Sequence, residues 1–95
     1  MNLQIGDVIQ VLPKYAVRQL WKEHFGHFPS SGYIDYLCDK TGSIKKFDVH
    51  IENGYRIIKT NEGIEGGYYI YEWMVIPSFD NMKISPESFL DLFGG

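Results

Sequence analysis

The chain has a single cysteine, Cys38, among 95 residues. One thiol excludes an internal disulfide, so burial of apolar side chains has to hold the fold, as suits a reducing compartment. No apolar run approaches the roughly 20 residues of a membrane span. Residues 1–7 (MNLQIGD) lack the basic start and apolar run of a secretory leader, so a cytoplasmic location is expected. Repeats, low-complexity tracts and linkers are missing too, which leaves one domain. Basic residues are scarce late in the chain. Up to Thr60, eight Lys and Arg face six Asp and Glu; from Asn61 on, Lys83 stands alone against Glu62, Glu65, Glu72, Asp80, Glu87 and Asp91. Phosphate backbones are held by cations, so a net charge of −3 counts against nucleic acid as the default partner.

What the chain does have is aromatic bulk, with seven Tyr, six Phe and two Trp. A domain this short buries only about 60 to 65% of its unfolded surface, so large rings are an economical core. Residues 3–12 read as a first strand closed by Pro13. Residues 15–25 change period, with Val17, Leu20, Trp21 and Phe25 at three- and four-residue steps, and Gly26 stands where a helix C-cap belongs. No Ser, Thr, Asp or Asn supplies an N-cap for that helix. Residues 33–38 read as a second strand, followed by a turn at Asp39-Lys40-Thr41-Gly42 with the glycine at positive φ. Strands over 43–51, 55–60 and 68–76 complete five, the last stopped by Pro77.

The hairpin at Glu52-Asn53-Gly54 is open to a register argument. A three-residue loop with Gly54 left-handed pairs Ile51 with Tyr55, Val49 with Ile57 and Phe47 with Lys59. Five large apolar residues then share one face, which a two-residue loop would not achieve. The expected fold is mostly β with one or two short helices. It consists of a five-stranded antiparallel sheet closing into a small barrel over 1–77, a helical insertion at 14–26, and a tail over 78–95 carrying a short amphipathic helix.

The order Gly6-Asp7-Val8-Ile9-Gln10-Val11, Gly32-Tyr33-Ile34, Phe47-Asp48-Val49 and Tyr71-Glu72-Trp73-Met74-Val75 resembles the strand motifs of Src-homology-3 and KOW small barrels. The resemblance spans about residues 3–76 and implies a fold more than a function. A second resemblance lies at the end of the chain. Phe89-Leu90-Asp91-Leu92-Phe93 is similar to the short C-terminal peptides with which bacterial and phage replication proteins enter the sliding clamp, with Phe89 where the bacterial form has Gln. It implies a protein groove as partner.

Chemistry-bearing constellations are few. Cys38 with His24, His27 or His50 could form a nucleophile and base, but it sits within an apolar run, where a lone Cys acts as a small hydrophobe. Glu23, His24 and His27 have partial metal-ligand spacing without a second pair to complete four ligands. No enzyme activity, metal or cofactor is therefore expected. The aromatic run over 68–76 alternates Ile70, Met74 and Ile76 with Tyr69, Tyr71, Trp73 and Val75, so both faces are apolar. Either the rings pack under the helix carrying Trp21 and Phe25, or they form a recognition surface.

These features lead to a non-catalytic protein-interaction module, monomeric or weakly dimeric, that contacts its partner through Trp21, Tyr69, Tyr71 and Trp73 and through Phe89, Leu90, Leu92 and Phe93. Size and acidity suit a phage-encoded modulator or inhibitor of host machinery, acting in a bacterial cytoplasm. The competing expectation is a nucleic-acid-binding barrel. It would use Lys40, Lys45, Lys46, Arg56 and Lys59 as a basic face, with Tyr33, Tyr36 and Tyr69 as stacking platforms.

Overall fold

The computed structural model describes residues 3–78; the peptide at 89–93 lies outside them. Five antiparallel strands, β1 (Val8–Val11), β2 (Thr41–Val49), β3 (Arg56–Thr60), β4 (Ile70–Tyr71) and β5 (Val75–Pro77), run in the order β4-β3-β2-β1-β5. Two helices, α1 (Lys14–Phe25) and α2 (Ser31–Leu37), are inserted between β1 and β2. Strand β2 serves two sub-sheets. Its first residues pair with β1 (Ile9 opposite Gly42), and a bulge between Ile44 and Lys46 redirects the rest onto β3. The sheet does not close into a barrel, since β4 and β5 are its two ends.

The strand count matches expectation but the members differ. Residues 33–38 form α2 rather than a strand. Ser30 caps the helix, its Oγ accepting the Tyr33 N–H at 3.3 Å. Tyr33, Ile34 and Leu37 are buried while Asp35 and Tyr36 are exposed, a helical spacing that a strand would split between two faces. The expected run over 68–76 supplies the missing strand by breaking in two. A 3-10 turn at Glu72–Met74 carries the chain from β4, on the outer side of β3, to β5 beside β1. Ile70, Tyr71, Met74, Val75 and Ile76 are thereby all buried.

The first strand is shorter than 3–12, because Gln4 and Asp7 close a turn in which the Asp7 carboxylate accepts the Gln4 N–H at 2.8 Å. At the turn before β2 it is Asp39, not Gly42, that takes positive φ, at 68°. Asp tolerates that region through its short polar side chain. Gly42 is needed for space instead: a Cβ there would lie 2.7 Å from the Glu62 carboxylate, which accepts the Ser43 N–H at 2.8 Å. That N–H also holds the Glu62 carboxyl below the usual carboxylate range.

The hairpin register is off by one from the expected pairing. Val49 faces Arg56, Asp48 faces Ile57 and Phe47 faces Ile58. The reason lies in the loop and in the sheet's second face. His50 donates its N–H to the Tyr55 carbonyl at 2.9 Å and accepts the Gly54 N–H at 2.8 Å, making a four-residue loop. The expectation assumed one buried face, but Ile58 and Ile70 are buried on one side and Ile57 and Tyr71 on the other. Apolarity alone then does not select a register. Helix α1 does run as the periodicity predicts, ending at a left-handed Gly26 with φ 80° and starting at Pro13 without a side-chain cap.

Candidate interaction surface

The loop hydrogen bonds make the β2–β3 tip an ordered platform. The Asn53 N–H donates to His50 Nδ1 at 3.4 Å, the Asn53 Oδ1 accepts the Tyr55 N–H at 2.9 Å, and the Asn53 amide reaches the Tyr71 hydroxyl at 3.3 Å. The His50 ring stands edge-on to Tyr69 with centroids 4.6 Å apart. With the polar side chains turned onto the backbone, the apolar ones point to solvent. Ile51 is 99% exposed, Val49 62% and Tyr69 43%. Together with His50, Ile57 and Lys59 these three line a groove of about 400 Å³. The sequence argument missed this surface because its register buried Val49 and Ile51. The signal was His50 just before the loop and Asn53 within it, whose side chains bond the loop backbone at Asn53 and Tyr55.

The other expected contact rings gather elsewhere. Tyr71 is 5% exposed and stacks on Trp73, with centroids 5.3 Å apart and planes 4° from parallel. Trp21 and Phe25 from α1 close over Tyr71 at 5.8 and 5.6 Å. His24 stacks on Trp73 at 4.3 Å while its Nδ1 lies 3.2 Å from the Tyr55 hydroxyl. Trp21 and Trp73 are half-buried, and their indole N–H groups are buried without a hydrogen-bond partner among the described residues. So Trp21, Tyr71 and Trp73 form the seam between helix and sheet, and Tyr69, its ring centroid 6.3 Å from that of Tyr71, carries the aromatic cluster on to the hairpin groove. Phe89, Leu90, Leu92 and Phe93 lie outside the described residues.

The candidate basic face is largely engaged within the protein. Lys46 pairs with Asp48 at 3.3 Å, and Arg56 with Glu72 at 3.1 Å while lying 3.8 Å over the Phe47 ring. The Lys40 ammonium sits 4.0 Å over Tyr36, an exposed ring. Tyr33 is buried, its hydroxyl donating to the Tyr69 carbonyl at 2.5 Å. Lys45 is exposed at the bulge, and Lys46 stands directly across from Lys59, whose ammonium lies 5.7 Å over Tyr69.

The Cys38 thiol, half-buried at the end of α2, is pushed up to about 11 by burial and then by Asp39. A nucleophilic thiolate needs the opposite shift. Among the described residues no three His, Cys, Asp or Glu side chains are grouped to hold a metal, and no helix is long and apolar enough to cross a membrane. No protein-family model, curated protein or solved structure matches the chain.

Proposed function

We propose that this protein is a non-catalytic protein-interaction module whose β2–β3 tip is the contact surface. The observation that carries it is the exposure of Val49, Ile51 and Tyr69 around one groove. Contiguous exposed apolar side chains are uncommon on monomers and mark contact sites. Here the loop is held by its own hydrogen bonds, so little ordering entropy is lost on binding. The peptide at 89–93, through its likeness to sliding-clamp ligands, is a second contact of the same proposal. Kinship with the Src-homology-3 and KOW barrels is part of it as well. It is supported by a bulged β2 shared between two sub-sheets, the kind of corner that bent small sheets use.

The test is affinity capture with the full chain and with I51D and V49D. Both positions are exposed, so the variants should melt with the wild type. The proposal expects a stoichiometric polypeptide captured by the wild type and lost from both variants; equal capture by all three overturns it.

Nucleic-acid binding is the second reading, favoured by one observation: Lys46 and Lys59 stand opposed across two strands beside the exposed Tyr69 ring. Opposed like charges are unfavourable, and Asp48, paired with Lys46 at 3.3 Å, balances one of the two. Submicromolar, salt-sensitive oligonucleotide binding that K46E abolishes would put this reading first.

A further inference from the structure

On helix α1, Lys14, Arg18 and Lys22 recur at four-residue steps and all three are exposed. Like charges at that spacing repel along a helix, so fold stability does not account for the stripe. Lys14 is engaged by Asp35 at 2.8 Å, which also raises its pKa. Arg18 and Lys22 have no carboxylate partner among the described residues. Both are instead gathered on one ring, Phe28, at 5.0 and 4.8 Å from its centroid, and that ring is 49% exposed. Beside them opens a cavity of about 370 Å³ lined by Lys14, Arg18, Pro29, Ser31, Ile34 and Asp35. Two cations held in place over an exposed ring, next to a cavity to which Pro29 and Ile34 contribute apolar surface, make a mixed surface that is basic and apolar at once.

We infer that this α1 face docks an acidic, extended peptide segment of a partner protein, independently of the hairpin tip. Residues four apart on a helix are about 6 Å apart along its axis. Alternate side chains of an extended peptide are spaced about 6.6 Å on one face. Two carboxylates separated by one residue can therefore reach Arg18 and Lys22 together, while an apolar side chain two residues further along the same face reaches Pro29 and Ile34. Arg18 offers a planar fork suited to a carboxylate. A nucleic-acid strand fits less well. Lys14 is already neutralised, Asp35 stands on the cavity rim, and the whole chain is acidic at −3, whereas polyanion binding depends on the number of phosphates neutralised.

The probe is a synthetic peptide with glutamates at alternate positions and one central Phe, titrated into the full-length protein at low and physiological salt. Amide shifts and fluorescence anisotropy are read in parallel with a thymidine oligonucleotide and a lysine-substituted peptide. Shifts should concentrate at Arg18, Lys22, Phe28 and Ser31, and R18E/K22E should weaken peptide binding at least tenfold without changing the melting temperature. Absence of those shifts, unchanged binding by R18E/K22E, or tighter binding of the oligonucleotide overturns the inference. So does tighter peptide binding by full-length E87Q/D91N, since the chain's own acidic segment would then be the occupant.

Discussion

The base and the tip of the β2–β3 hairpin use the same residue types for opposite ends. At the base, Ile44 and Ile58 are fully buried, as is Ile70 on the adjoining β4, and the buried Glu65 carboxylate accepts the Thr60 backbone N–H. The Thr60 hydroxyl in turn accepts the Ile64 N–H at 3.2 Å. Farther along the hairpin, Val49 at the end of β2 and Ile51 in the loop after it stand in solvent, the loop closed by His50, Asn53 and Gly54. Apolar burial supplies stability at one end. At the other, the loop's own hydrogen bonds keep the shape, which leaves the apolar side chains free for a partner. Substitutions at the base should therefore change melting and those at the tip should change binding.

The largest effect is expected from Ile58→Ala, which empties a fully buried site. Loss of a buried Ile side chain costs about 2 to 5 kcal/mol, and urea unfolding should show it as a lower midpoint with little change in slope. Next comes Glu65→Ala, which strips the Thr60 N–H of its acceptor. An orphaned buried donor costs about 1 to 3 kcal/mol; a melting temperature equal to wild type would show that the carboxylate is dispensable. Gly54→Val tests the loop backbone that holds the tip, as distinct from the tip's exposed side chains. Gly54 has φ 72° with open space around its missing Cβ. The cost is backbone strain alone, about 1 to 2 kcal/mol, and thermal denaturation should register it while the hairpin pairing in NMR persists.

An alkaline titration separates the regions again. Burial raises Cys38 from 9.0 to about 11 and pushes the Tyr33 phenol up as well. Each group then holds its proton more tightly folded than unfolded. Their contribution is intact below about pH 9 and declines as pH rises toward 11 and beyond. Melting followed from pH 7 to 11 should fall for the wild type and fall in parallel for tip variants. The smallest stability effect belongs to Ile51→Asp, within about 0.5 kcal/mol of wild type.

The sequence disclosed the β-rich character with short helices, the α1 boundaries and left-handed Gly54, because each rests on a local rule: period, C-cap, turn chemistry. It misassigned 33–38 because Tyr-Ile-Asp-Tyr-Leu is equally rich in β-formers, and the deciding cap, Ser30 Oγ on the Tyr33 N–H, precedes the segment. The break at Glu72–Met74 left no Gly or Pro to announce it, being imposed by β3 on one side and β1 on the other. The hairpin site was hidden by a single-residue slip, since one residue exchanges buried for exposed along a whole strand. Of the expected contact rings only Tyr69 stands at that site; Trp21, Tyr71 and Trp73 were placed by the alternative of packing under α1.

The central claim, that the hairpin tip is the contact surface, is tested most directly by a photo-crosslinking amino acid placed at position 51 of the full-length protein in cells. A second protein carries the same group at position 5, where Ile5 is also an exposed apolar side chain, 67% accessible but outside the groove. The account predicts one discrete crosslinked polypeptide from position 51, lost when Val49→Asp is added, and no such product from position 5. Equal or absent crosslinking at the two positions would contradict it.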